Sequence, residues 1–155
     1  TNFEQATRSP LIIAAPGYAA NHTQAPTEFV DVFPTLCELA SLDIPESLDG
    51  VSLAPLMADP QAAVKEYAVS QYPRGDDIMG YSIRTERYRY VLWMDNGYRS
   101  YQPFRREQVV ARELYDYQAD PLETRNLYGE PGYQEAREQM EALMLEYFSS
   151  QQTEE

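Results

Sequence analysis

The chain has 155 residues, 25 acidic against 12 Lys and Arg for a net charge of −13, and is 43% apolar with 13 tyrosines. That length and apolar content suit one globular domain and exclude a disordered chain, while the acidity argues against broad binding to nucleic acid or an anionic membrane. The single cysteine excludes an internal disulfide framework, and no apolar run approaches the roughly 18 residues of a transmembrane helix.

Leu11 to Ala15 is a continuous apolar run closed by Pro16-Gly17, which predicts a strand buried on both faces of a parallel sheet. No later run could supply its neighbour, so its partner strands are expected outside this chain. Residues 18–26 read as loop. Thr27 is expected to cap a helix whose apolar stripe is Phe29, Val32, Phe33, Leu36, Cys37 and Ala40, with a kink or a restart at Pro34. Leu42 to Pro55 is a connector with Pro45, Asp49-Gly50 and Pro55 as turn signals, and a short helical turn around Leu53 to Met57 ends before Pro60.

From residue 66 the pattern changes. Tyr67 to Tyr72 alternates as a strand, and Pro73 to Asp77 is a polar loop. Met79 to Thr85 and Tyr88 to Met94 form an antiparallel hairpin about Glu86-Arg87. Asp95-Asn96-Gly97 is a turn, and residues 98–108 are an irregular loop. Glu113 to Tyr117 is a further strand. Tyr133, Ala136, Met140, Leu143, Met144, Tyr147 and Phe148 define an amphipathic helix of about four turns. The fold class is therefore α+β, a small antiparallel sheet covered by a C-terminal helix. Residues 1–58 are read as the last strand and helix of an α/β domain, 66–149 as an α+β subdomain, and 150–155 as a disordered tail.

The charge is uneven. Residues 74–112 carry eight arginines (74, 84, 87, 89, 99, 105, 106, 112) against five carboxylates, a net of +3 that leaves −16 elsewhere. Such a segment is either a solvated face paired with nearby acids or a site for one small anion, since guanidinium forks suit sulfate, phosphate and carboxylate. Arg74 is the candidate substrate-binding residue, because it follows Tyr72-Pro73 where a strand enters a loop. Its alternative role is an ion pair with Asp76, Asp77 or a carboxylate outside the chain. Cys37 reads as a buried structural thiol and His22 as an exposed loop residue without zinc-site companions. Asp76-Asp77 reads as a solvated pair, and Asp116, Asp120 and Glu123 as turn and capping residues. Tyr81, Tyr88, Tyr90, Trp93 and Tyr98 read as core and sheet surface. No catalytic residue and no metal ligand is assigned.

Several stretches resemble the C-terminal portion of sulfatases, most closely the iduronate-2-sulfatase branch. They are Thr1 to Ile12, Val32-Phe33-Pro34-Thr35-Leu36, Asp49 to Leu53, Ser70-Gln71-Tyr72-Pro73-Arg74, Ile78 to Thr85, Tyr88-Arg89-Tyr90, Glu113 to Asp116 and Asp120 to Leu127. The resemblance implies an alkaline-phosphatase-like fold whose N-terminal α/β domain carries a formylglycine nucleophile, a calcium ion and catalytic Lys and His. It implies hydrolysis of a sulfate ester, on a sulfated carbohydrate or a small ester, in a periplasmic, secreted or lysosomal setting. The nucleophile motif Cys-x-Pro-x-Arg is not met at Cys37, which is followed by Glu38-Leu39-Ala40-Ser41, so none of the catalytic residues carries over. Arg74 matches an arginine that borders the family's active-site mouth, whereas the Arg74 to Met79 loop is short and lacks a lysine-bearing insertion of the animal enzymes. The chain is accordingly expected to be inactive alone, with an N-terminal sulfatase domain as its partner. The competing readings are a sulfated-glycan binding module without catalysis and a fragment of a related phosphatase or phosphonate hydrolase.

Overall fold

A computed structural model describes residues 1–75, 77–95 and 104–151. In chain order its helices are α1 (Glu4–Thr7), α2 (Val32–Leu39), α3 (Ala54–Ala58) and α4 (Gln134–Ser150), and its strands are β1 (Ala68–Arg74), β2 (Ile78–Arg84), β3 (Tyr88–Asp95) and β4 (Val109–Asp116). The chain divides into two compact units, Pro10–Ala68 and Thr1–Ser9 with Val69–Glu155. The first nine residues thus group with the later unit.

The unit Pro10–Ala68 is built around α2, but not on the expected stripe: Pro34, Thr35 and Cys37 are buried, whereas Phe29, Phe33 and Leu36 are exposed. The start of the helical segment is capped by Glu28 and Asp31, whose side chains and backbone N–H groups bond reciprocally around a 3-10 turn at Phe29–Asp31. Thr27, the expected cap, is not the one used. Pro34 sits in the first turn of α2, where its missing N–H has no intrahelical bond to lose. Of the two outcomes expected at Pro34, the structure takes the restart. Asp31 is fully buried and ties the unit together: one carboxylate accepts from Glu28 N at 2.7 Å, Val51 N at 3.0 Å and Lys65 Nζ at 2.8 Å. Thr35 Oγ1 donates to the Asp31 carbonyl and accepts from Leu53 N at 2.8 Å, which clamps the 50–53 connector on α2. Gly50 permits this approach, since a Cβ there would lie 2.0 Å from the Val30 carbonyl oxygen.

The strand expected over 11–15 is not formed. These residues have no regular structure, and Ile12 is 90% exposed. A strand exists by pairing its backbone with a neighbour, and the sheet among the described residues, ordered β1-β2-β3-β4, does not include them.

In the other unit, β2 and β3 pair antiparallel about Glu86-Arg87, and β4 pairs antiparallel with β3. β4 begins at Val109, four residues earlier than the sequence indicates. β1 continues through Pro73 to Arg74; it is an edge strand, where a residue without an N–H is tolerated. α4 covers the sheet face that carries Tyr81, Ile83 and Tyr90, with Met140 and Met144 fully buried and Phe148 5.0 Å from the Tyr81 ring. The opposite face carries Arg84, Arg89 and Trp93 and meets the segment before α1, where Asn2 Nδ2 donates to the Gly80 carbonyl at 3.1 Å. The expected turn at Asn96-Gly97, most of the 98–108 loop including Tyr98 and Arg99, Asp76 and the end of the tail lie outside the described residues. Of the tail, Ser150 belongs to α4.

Candidate functional site

The fold sorts the basic segment by partner. Arg84 on β2 places Nε 3.0 Å from Glu4 Oε2, with its guanidinium 3.8 Å from the Tyr117 ring centre. Arg87 donates Nη2 to Asp116 Oδ2 at 2.7 Å and Nε to Oδ1 at 3.1 Å, and lies 4.8 Å from the Tyr88 ring. Arg89 is 2% exposed, far from the expected solvated face. It donates Nε to Glu123 at 2.5 Å and Nη1 to the Asn2 carbonyl at 2.9 Å, with the Phe3 and Tyr115 rings 4.8 and 4.5 Å away. Arg112 reaches Glu141 at 3.8 Å and the Tyr128 ring at 5.9 Å. The four carboxylates, Glu4, Asp116, Glu123 and Glu141, all lie outside residues 74–112, so the acidic remainder of the chain pairs with four of the segment's arginines.

These pairs move proton affinities. The Arg87 fork, with backbone N–H groups, holds the Asp116 carboxyl below its usual value against the effect of burial. Burial alone would raise Glu4, but the hydrogen bond and charge of Arg84 prevail, and its carboxyl is held down. Burial and the neighbouring Glu113 push the Tyr115 hydroxyl up to about 12. Glu123 exceeds the turn role read from sequence: it is buried at a backbone φ of 55° and accepts from Arg89, from the Tyr117 hydroxyl and from Glu4 N. Asp120 fills the expected capping role, accepting from Thr124 N and Arg125 N. Asp116 combines both, bonding Gln118 N at 3.0 Å as a turn residue while it pairs with Arg87.

Arg74 differs from the other four. It ends β1, is exposed, makes no ion pair among the described residues, and holds its guanidinium 4.1 Å from the Trp93 ring centre. Trp93 is 5% exposed and fixed from several sides. Its Nε1 donates to Glu113 Oε1 at 3.0 Å, and Glu113 Oε2 accepts the Tyr115 hydroxyl at 3.2 Å. Gly80 is its register partner on β2, and a Cβ at Gly80 would sit 2.6 Å from the indole. Asn2, which bonds Gly80, also accepts from Ser70 Oγ at 3.2 Å. Arg74 thus lies on a rigid aromatic platform. Sequence reasoning placed Trp93 in the core and missed this role. The signal was available: folding the hairpin about Glu86-Arg87 sets Gly80 opposite Trp93, and a glycine facing the chain's one tryptophan marks a crowded ring.

Elsewhere, Cys37 is buried on α2 and His22 is exposed in a loop, as expected. Asp77 is exposed. On the α4 face a shallow groove is lined by Tyr90, Leu92, Phe104, Arg106, Arg112 and Glu141. Among the described residues no group of three or more His, Cys, Asp or Glu converges to hold a metal ion. No helix among the described residues is long and apolar enough to cross a membrane.

The family model for the C-terminal region of N-sulphoglucosamine sulphohydrolase matches residues 1–150. The delta 4,5-hexuronate-2-O-sulfatase of Bacteroides thetaiotaomicron is 28% identical over 95% of this chain and 30% of its own length. Iduronate 2-sulfatase of Mus musculus is 28% identical over 84% of this chain and 34% of its own. The phosphonate monoester hydrolase of Agrobacterium radiobacter superposes with a TM-score of 0.55 at 24% identity over 78% of this chain and 24% of that one, a likeness of fold alone. The chain therefore spans about a third of the length of the curated relatives it matches. Its four-stranded sheet with a covering C-terminal helix and the match over residues 1–150 together establish that the chain belongs to the family of sulfatase C-terminal domains.

Proposed function

We propose that this chain is the C-terminal part of a longer sulfate-ester hydrolase, that it contributes scaffold and one wall of the substrate pocket, and that it is inactive alone. The observation that carries the reading is the match over residues 1–150 to a C-terminal sulfatase model, while the chain covers only 30% and 34% of two such relatives. Unsatisfied apolar surface supports it. Ile12 is 90% exposed, and Phe29, Phe33 and Leu36, at helical spacing, are 75%, 55% and 54% exposed. A stripe of that kind marks a surface that another part of a protein covers. In this reading the formylglycine nucleophile and calcium belong to the N-terminal domain of the longer polypeptide. Those groups would supply the nucleophilic and electrostatic chemistry of sulfate-ester hydrolysis. The residues of this chain bind and orient: Arg74 contacts a sulfate or carboxylate of a sulfated carbohydrate or small ester. Reading the coding region upstream of Thr1 tests the proposal. A Cys-x-Pro-x-Arg motif with paired aspartates near a first strand is expected; an upstream region encoding an unrelated domain overturns it. A nucleophile of another type in that region would instead assign the chain to the phosphatase or phosphonate hydrolase branch.

A second reading, a sulfated-glycan binding module, is favoured by one observation: Arg74, Arg105 and Arg106 are exposed and without ion pairs among the described residues. Heparin affinity chromatography separates the two. Retention that is lost in Arg105→Ala and Arg106→Ala supports the module, and absence of retention removes it.

A further inference from the structure

We infer that Arg74 and Trp93 form a built oxyanion site, in which the indole of Trp93 is the positioning residue that holds the Arg74 guanidinium for a sulfate or carboxylate group. The inference rests on the reading of Arg74 as a substrate contact and deepens it.

The molecule supplies its own comparison. Arg84, Arg87, Arg89 and Arg112 each combine an aromatic ring within 6 Å of the guanidinium with a carboxylate partner: Tyr117 with Glu4, Tyr88 with Asp116, Tyr115 with Glu123, and Tyr128 with Glu141. In each case the cation lies over a ring while a carboxylate stands beside it, hydrogen-bonded for Arg84, Arg87 and Arg89 and 3.8 Å away for Arg112. Arg74 repeats the first half of that arrangement, 4.1 Å from the Trp93 ring centre, and has no carboxylate partner among the described residues. A guanidinium with one face on a ring keeps its in-plane donors free for two oxygens of an incoming anion.

The platform is also fixed before any ligand arrives. Trp93 is held by its bond to Glu113 and by the Cβ-free surface of Gly80, and Asn2 bridges Gly80 and Ser70 beside it. Holding the cation in place reduces the rotamer freedom it loses on binding. A lysine at position 74 would keep the charge but lose both the flat stacking surface and the two-pronged donor geometry. Sulfate and carboxylate share that geometry, so the same site accepts either.

The test uses the full 155-residue chain with 15N-labelled arginine, titrated at constant ionic strength with sodium sulfate in one arm and sodium glucuronate in the other. The Arg74 Nε–H resonance is expected to lie upfield through the indole ring current and to move saturably with at least one anion; the arm that saturates identifies the group. Trp93→Leu is expected to return the resonance to an ordinary position and to weaken binding about two- to fivefold, the worth of one exposed cation–π contact. Arg74→Lys is expected to weaken binding at least as much. If neither anion moves Arg74 in the parent chain, the reading of Arg74 as a substrate contact falls. If the parent binds and Trp93→Leu binds as tightly, only the role of Trp93 is overturned. Should Trp93→Leu fail to fold, Trp93→Phe takes its place, with about twofold weaker binding and a reduced ring-current shift expected; no change in either quantity overturns the proposal.

Discussion

Glu123 shows how much one side chain can hold. Its left-handed backbone, at φ 55°, is uncommon for a residue with a Cβ, and it persists where three donors converge on a buried carboxylate. Arg89 opposite it is 2% exposed, so the pair carries charge that water does not screen. Removing one partner of such a pair leaves the other buried without compensation. Glu123→Gln is therefore expected to cost about 3 kcal/mol, read as a lower urea midpoint at unchanged m-value. The double variant Arg89→Met/Glu123→Leu is expected to recover part of the loss, because it removes both charges together. A Glu123→Gln midpoint equal to the parent's would contradict the account. Nothing in the sequence around Asp120-Pro121-Leu122-Glu123 marks this role, because the partner, Arg89, is 34 residues away and the pairing exists only after the sheet forms. Gly50 carries a different constraint: Gly50→Ala would push a methyl into the Val30 carbonyl, and a loss of thermal stability beyond the ~1 kcal/mol typical of point substitutions is expected.

At the scale of elements, the hairpin was the most legible part. Alternating Tyr, Ile and Val on both sides of Glu86-Arg87 set the register as well as the strands, and the paired residues follow from it. The 11–15 run has no partner strand among the described residues, for a reason of the same kind. Apolar content describes what a strand could bury, but pairing decides whether a strand exists, and pairing depends on neighbours that the run itself does not encode. β4 was read short because arginine and glutamate interrupt its alternation, although Arg112 and Glu113 use their charges on opposite faces, toward Glu141 and Trp93. Among the ion pairs of this unit, Arg84 of β2 binds Glu4 of α1, and Arg87, in the turn between β2 and β3, binds Asp116 at the end of β4. Both carboxyls are held below their ordinary values. Their folded pKa values are depressed, so their stabilisation is present above the unfolded values and is lost as pH falls through the folded ones. The melting temperature is expected to stay level down to about pH 5 and to fall below about pH 4. In Asp116→Asn this acid limb should be shallower; a limb as steep as the parent's would remove Asp116 from the explanation.

For the molecule as a whole, composition excluded more than it assigned, and the arginine segment was legible as a feature but not as a set of pairs. Its partners come from the chain on both sides of it, which no local window displays. The exposed stripe of Phe33 and Leu36 on α2 was visible as helical periodicity; that it faces away from the unit's core was not. If another part of a longer protein covers this stripe, Phe33→Ser with Leu36→Ser should raise the solubility of the isolated chain and change its stability by no more than about 0.5 kcal/mol, as for surface positions. A large loss of stability would place these side chains in the chain's own core instead. The central claim is that this chain supports substrate binding while the chemistry belongs to another part of a longer polypeptide. Turnover of an aryl sulfate by the pure 155-residue chain tests it most directly. No release of the phenol above the buffer blank is expected, and saturable turnover that follows the chain through purification would contradict it.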